Sequence, residues 1–485
     1  MAFSDKVIAV FSPERAYRRQ QFRALYEGAT PRKHDKDKFK LASSDPNVDR
    51  AMQGSTLRAR ARYLDQNSDL ITGLFDVLCT HIVGSGMACE PTVKMVDGTP
   101  AQELNDAICR RHTLWAERPD VTRSYNLAKA EQLACRTWLR DGEAFIQHVN
   151  ALSARHPRAV NVRYSFELIE ADQIPEGFTE RENRIYQGIR RNAWGAAERY
   201  YLSVGDTYTQ DFENNTRSIK AGNMEHIANI TRFKQNRGVP LIASAINTVS
   251  DLDDYANSER VAAKMAAAFV GSIEHPKRDT GIVGAGENKE IPIAPGAVGE
   301  FFDGTTFKLH APQRPNTAFG GFIQHNGRLI AAGNKVSYSS LTKDYNGTYS
   351  SQRQEMVEQF GIYRPMQNEF IDKVSLRLYK RFIFTLEGMG YFDEESPNFI
   401  GVSLQGVDMD TLYDVSFQPP QPVWIDPLRE ANAAKVLMES RVKSRRTTQR
   451  GFGLNFRHED ELMRQDDLFA GVDEPPPDEP DDEDE

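Results

Sequence analysis

The chain has 485 residues, 39% apolar and 27% charged, enough for two or three domains with sizeable cores. It has no run of apolar residues long enough for a membrane-spanning helix, and its first residues lack the apolar core and small-residue cleavage site of a signal peptide. The net charge of −9 comes from residues 473–485, which hold nine acids; the rest balances 60 basic against 60 acidic residues, so the low pI says nothing against contact between the body and a polyanion.

Residues 1–62 hold 14 Lys and Arg against 7 Asp and Glu and read as a basic arm with a partial helix over 15–26. A single helix is expected from about 55 to 81, on the spacing of Leu57, Leu64, Ile71, Leu74 and Leu78, ended by the turn Val83-Gly84-Ser85-Gly86-Met87. Helices fill 101–140, and Asp141-Gly142-Glu143 turns into a strand over 144–149. Alternating apolar and polar residues predict strands over 160–170, 185–191, 200–204 and 224–230, with a hairpin turn at 192–195.

Val239-Pro240 opens a helix running to about 270, with Leu241, Ile242, Ala245, Ile246, Val249 and Leu252 at helical spacing and an Ala-rich end. At 1.5 Å per residue it would be about 45 Å long. Residues 271–313 are rich in Gly and Pro and fit a small α/β or β module. A helix over 317–332, a polar loop and a long helix over 351–386 follow, with a bend expected at Pro365. Strand-like segments are expected over 390–417, then a Pro-rich linker. A helix over 428–442, capped by Asp426 with Pro427 in its first turn, ends in a basic stretch, and the acidic tail lacks the apolar residues to fold.

Motifs for chemistry are missing from the sequence. There is no G-x-x-x-x-G-K-[ST] loop, no H-E-x-x-H pair and no G-x-S-x-G elbow. The segment Gly281-Ile282-Val283-Gly284-Ala285-Gly286 lacks the strand-to-helix setting of a phosphate loop and reads as a mobile loop. Cys79, Cys89, Cys109 and Cys135 form no C-x-x-C pair and read as buried reduced thiols. No catalytic, cofactor-binding or metal-ligating residue is assigned.

Two features stand out instead. Asp251, Asp254, Glu259, Arg260 and Lys264, together with Asp253, make a charged ladder on one helix; a fully buried core helix would not carry it, which favours a wall helix beside a neighbouring copy. The segment around 335–349 combines Lys335, Tyr338, Lys343, Tyr345 and Tyr349 with Gly, Ser and Asn. Ammonium groups and aromatic faces on a flexible loop suit loose, sequence-independent contact with phosphates and sugars, although a plain surface loop is the default for such composition.

The order of short apolar helix, Gly327-Arg328-Leu329-Ile330-Ala331-Ala332-Gly333, then polar aromatic loop, then long helix resembles the lambda-type portal proteins of tailed bacteriophages. Further pieces follow in the family's order: Leu57-Arg58-Ala59-Arg60-Ala61-Arg62-Tyr63-Leu64, Arg140-Asp141-Gly142-Glu143, Leu168-Ile169-Glu170-Ala171-Asp172, Arg237-Gly238-Val239-Pro240 and Asp251-Leu252-Asp253-Asp254-Tyr255. The resemblance is weakest over 271–313, in the N-terminal arm and after 425.

The resemblance implies an α+β portal fold assembled as a ring, twelve-fold in virions of this class. It divides the chain into a basic arm (1–54), a wing (55–239 and 352–424), stem helices (240–270 and 317–333, the charged face including Arg328), a clip (271–316), a channel loop (334–351), a crown (425–460) and an acidic tail (461–485). It further implies a ring at one capsid vertex, without covalent catalysis or cofactor, that passes double-stranded DNA, docks the terminase large subunit and meets head-completion or connector, major capsid and scaffolding proteins, with no membrane partner. The chain would then act in the virion, and in host cytoplasm during assembly. Another head or tail ring protein, or a metal-dependent DNA-processing enzyme built from distant acids, stays open as an alternative.

Overall fold

The computed structural model describes residues 46–150, 162–206, 211–268, 271–274, 306–309, 319–422, 427–452, 459–460 and 462–466. Contacts separate residues 1–49 from 50–485, and all the described residues but 46–49 belong to the second unit. The helix expected near 15–26, most of the Gly- and Pro-rich segment, the Asp426 cap and residues 467–485 of the acidic tail lie outside the described residues.

Mixed helix and sheet make up the fold. Helix α1 (Pro46–Asn67) and helix α2 (Asp69–Ile82) replace the single helix expected over 55–81. The break is Ser68, whose extended backbone (φ −112°, ψ 112°) no apolar spacing reveals. Helix α2 turns Ile71, Leu74, Phe75, Leu78 and Ile82 inward, the i, i+3, i+4 stripe of a core helix. After strand β1 (Ala88–Pro91) come α3 (Gln102–Ala116) and α4 (Leu127–Asp141). The side chain of Asn126 caps α4 by accepting from Lys129 N–H at 2.8 Å, and Gly142 ends it at φ 90°.

Strand β2 (Glu143–Val149) is central to a three-stranded sheet, antiparallel to β3 (Ser165–Ile169) on one side and β8 (Met224–Ala228) on the other. Its alternating side chains serve two cores. Ala144 and Ile146 join the main core with α2, α4 and Trp115, whereas Phe145 faces a smaller core with Ile169, Ile189 and Tyr200. That second core underlies a four-stranded antiparallel sheet of β4 (Ile185–Tyr186), β5 (Ile189–Arg191), β6 (Ala197–Asp206) and β7 (Asp211–Lys220). Strand β7 was not expected from the sequence: its polar residues show no alternation, and pairing with β6 forms it.

The turn Leu241–Ser244 leads into α5 (Ile246–Ala268). Strands β9 (Gly271–Glu274) and β10 (Thr306–Leu309) pair antiparallel, consistent with the β content expected there. Helix α6 (Phe319–Gly333) returns against α5, with Tyr255 packed on the rings of Phe319 and Phe322 at 5.7 and 4.8 Å.

Three further expectations need correction. The segment between α6 and the next long helix contains a short helix, α7 (Tyr338–Thr342), so it is not a plain loop. The long helix runs as α8 (Tyr349–Phe370), a π turn (Ile371–Ser375) and α9 (Leu376–Gly388); Pro365 sits inside α8 and the departure from α geometry falls after it. Among the described residues 389–418 the single strand is β11 (Val415–Gln418), paired with β1; the apolar residues taken for strands sit in turns that pack Tyr391, Phe392 and Leu412 into the main core. Of the four thiols, all free, only Cys135 is buried; the other three are half-buried. Helices α10 (Pro427–Glu439) and α11 (Arg445–Gly451) follow.

Candidate nucleic-acid interface

The segment 334–349 is held from both ends. Asn334 is fully buried and donates to Ile330 O at 2.7 Å, so α6 fixes where the segment starts. Lys335 then takes φ 62°, and its carbonyl accepts from Gln359 of α8 at 2.6 Å. Val336 and Leu341 are buried, which pins α7 to the main core. The serines expected to loosen the loop do the opposite: Ser337 caps α7 through Ser340 N–H, and Ser339 donates to Glu355 of α8 at 2.6 Å. Lys343 ends α7 in the left-handed region at φ 59°. Gln352 donates to the carbonyl of Tyr345, and Thr348 caps α8.

This scaffold presents the predicted side chains unequally. Lys335 and Lys343 are exposed, as are Tyr345 (56%) and Tyr349 (45%). Tyr338 is half-buried: its ring lies 3.0 Å from where a Cβ on Gly327 would stand, and Arg328 covers it at 5.4 Å. Arg328 therefore joins this segment as a cation–π partner. Burial raises the Glu369 carboxyl above its ordinary range, against the opposing charges of Lys335 and Lys373. Burial also lowers His81, and the charge of Lys343 adds to the effect.

On α5, Asp251, Asp254, Arg260 and Lys264 are exposed and Glu259 is half-buried, with Leu252 on the opposite, buried side. Arg260 donates to Asn257 one turn earlier.

The largest polar constellation was not assigned from sequence. Arg237 is fully buried, with Nε donating to both oxygens of Glu143 at 2.8 and 3.0 Å. Its other nitrogens donate to the carbonyls of Ile174, Gln187 and Ala171, each at 3.0 Å. Glu143 also accepts from His226 at 3.1 Å and from Gly238 N–H at 3.0 Å. Arg50 bridges Glu143 and Glu176; Arg58 binds Glu176 and Asp172; Arg62 binds Asp172, Asp141 and Glu170. Burial alone would raise the Glu143 carboxyl, but Arg237, His226 and Arg50 hold it well below the carboxylate range. The signal was present in the sequence: Arg58, Arg62, Arg140-Asp141-Gly142-Glu143, Glu170, Asp172 and Arg237-Gly238 are pieces of the family resemblance. Folding gathers them at the point where the chain leaves the sheets for α5.

Among the described residues no three His, Cys, Asp or Glu side chains are placed to hold a metal ion, and no helix is long and apolar enough to cross a membrane.

Comparison with known proteins bears on this arrangement. The chain is 24% identical over 403 residues to a protein named probable portal protein from Halomonas phage phiHAP-1, covering 79% of this chain and 74% of that one. It resembles a chain from the neck of an empty gene transfer agent particle (13% identity, TM-score 0.49, 81% and 94% coverage) and one from the virion of the native particle (12%, 0.45, 85% and 94%). The family model described as phage portal protein, lambda family, matches residues 32–367, more than half of the sequence, and the chain therefore belongs to the lambda family of phage portal proteins.

Proposed function

We propose that this portal protein closes into a ring at one capsid vertex, through which double-stranded DNA enters and leaves, with residues 334–351 facing the channel. The observation that carries this reading is a pair of exposed lysines, Lys335 and Lys343, set beside exposed Tyr345 and Tyr349 on a segment braced by α6 and α8. A braced segment sets the radius at which charge meets the duplex, while single ammonium groups contact phosphates without reading sequence. Many clustered lysines would grip DNA in a strongly salt-dependent way and oppose its movement. A charge-balanced body with two cations per subunit in this segment avoids that.

In this reading α5 and α6 form the stem, β9 and β10 belong to the clip, residues 55–239 and 352–424 form the wing and 425–460 the crown. The terminase large subunit, head-completion or connector, capsid and scaffolding proteins are its partners, in the virion and earlier in host cytoplasm. The chain carries out no covalent catalysis and needs no cofactor.

The test is Lys335→Ala with Lys343→Ala. Ring mass is expected to stay unchanged while packaging or retention of DNA changes, more so at low salt because the Debye length is about 10 Å at 0.1 M. Unaltered packaging and retention at all salt concentrations would remove the channel role from this segment.

A further inference from the structure

Two nearly bare aromatic side chains stand on the four-stranded sheet side of the molecule. Trp194, at the tip of the β5–β6 hairpin, is 96% exposed, and Phe233, in the loop after β8, is 98% exposed. Their turns are braced. Asn192 accepts from the N–H groups of Trp194 and Ala196, both at 2.9 Å. Arg191 donates to Gly195 O at 2.6 Å and to Asn236 O at 3.4 Å, tying the hairpin to the second loop. Gln235 accepts from Thr231 and Arg232 N–H at 3.1 and 3.2 Å. One exposed aromatic needs no explanation, but two on mutually tied turns make a preorganised contact of the kind that anchors interfaces. Their surroundings are basic: residues 178–202 and 216–234 hold nine Lys and Arg against four Asp and Glu.

A groove of about 730 Å³ opens elsewhere, lined by Met95, Leu104, Phe399 and Val402 together with Glu103 and Glu394. Its surroundings are acidic: residues 93–106 and 389–414 hold nine Asp and Glu against one Lys. Leu104 and Val407 of the groove belong to the main core, whereas Ile189 and Tyr200 beneath the hairpin belong to the smaller one. The two features are thus rooted in different cores, the groove in the one that Ala144 and Ile146 join and the hairpin in the one that Phe145 joins.

We infer that Trp194 and Phe233 of one copy seat in the Met95–Phe399–Val402 groove of the next copy. A repeating ring needs one heterologous contact, made by two different and complementary patches of the same chain. A basic aromatic projection and an acidic apolar groove, rooted in separate cores of the same chain, supply both shape and charge. This rests on the ring reading above and adds which surfaces close it.

The experiment uses the full chain carrying Trp194→Cys and Val402→Cys, treated with a bismaleimide, with wild type and each single variant as controls for the native thiols. Inter-subunit ladders reaching the full ring are expected from the double variant alone. Trp194→Ala with Phe233→Ala removes exposed atoms and should leave thermal unfolding unchanged, but it should raise the concentration at half-assembly at least about tenfold. Glu103→Lys with Glu394→Lys should weaken assembly, and Arg232→Glu with Lys234→Glu in the same chain should restore it. Rings of the double-cysteine variant that lack the 194–402 cross-link between copies, or an alanine variant assembling normally, would overturn this contact alone. That holds whether the tips then prove to bind another virion protein or the groove a small molecule. A wild-type chain that remains monomeric would overturn the ring reading and this inference with it.

Discussion

Arg237 and Glu143, ninety-four residues apart in the chain, meet as a fully buried ion pair at 2.8 Å where the sheets hand over to α5. The pair is saturated: three backbone carbonyls complete the guanidinium, while His226 and Gly238 N–H complete the carboxylate. Desolvating two charges is costly, so the pair is better read as a device that fixes geometry than as a net source of stability.

Removing one partner should therefore be severe. Arg237→Met is expected to cost about 3–5 kcal/mol in chemical unfolding, because Glu143 stays buried with its main counter-charge gone. Arg237→Lys should recover only part, since one ammonium cannot reach the carboxylate and three carbonyls together. A cost below about 1 kcal/mol for Arg237→Met would show that the joint relaxes without it.

Two buried glutamates should give opposite pH dependences. Glu143 is depressed, so its contribution is present above the ordinary carboxylate range and is lost as pH falls toward its folded value. Burial pushes Glu131 up to about 7, against hydrogen bonds from Met87 N–H and Ser375. A raised carboxyl contributes fully below its unfolded value near 4.5 and loses that contribution as pH rises through about 7. Glu131→Gln should accordingly raise the thermal midpoint at pH 8, by up to about 3 kcal/mol in stability, with the gain shrinking toward pH 5. Equal effects at both pH values would contradict the assignment.

Gly142→Ala should destabilise the same joint. Gly142 sits at φ 90°, and an added Cβ would lie 2.3 Å from the carbonyl carbon of Val239 and 2.6 Å from Pro240 N. Backbone atoms cannot rotate away, so a loss of roughly 2 kcal/mol or more is expected in thermal or urea unfolding. Gly177→Ala, with open space around it, serves as the control. Similar stabilities for the two variants would mean that the close approach is not constraining.

How much was legible in the sequence varied with how local the cause was. The apolar stripes of α2 and α5 and the Gly142 turn were readable because each is set within a few residues. The break at Ser68 was not, since an extended backbone at one residue leaves the apolar spacing unchanged, nor was strand β7, which its neighbour β6 forms. Lys335, Tyr338, Lys343, Tyr345 and Tyr349 do share one segment, but Ser337 caps α7 and Ser339 bonds Glu355 of α8 instead of freeing a loop. Arg328 was read as part of the charged face of the two stem helices, and its contact with the Tyr338 ring left no trace in the sequence. Arg237 and Glu143 stayed hidden as a pair because pairing across ninety-four residues leaves no periodic trace.

The most direct test is an image reconstruction of the assembled full-length chain, with particle mass measured on the same sample. A closed ring with Lys335, Lys343 and Tyr345 lining its central opening is the result expected. Particles that remain monomeric, or a ring carrying residues 334–351 on its outer rim, would contradict the account.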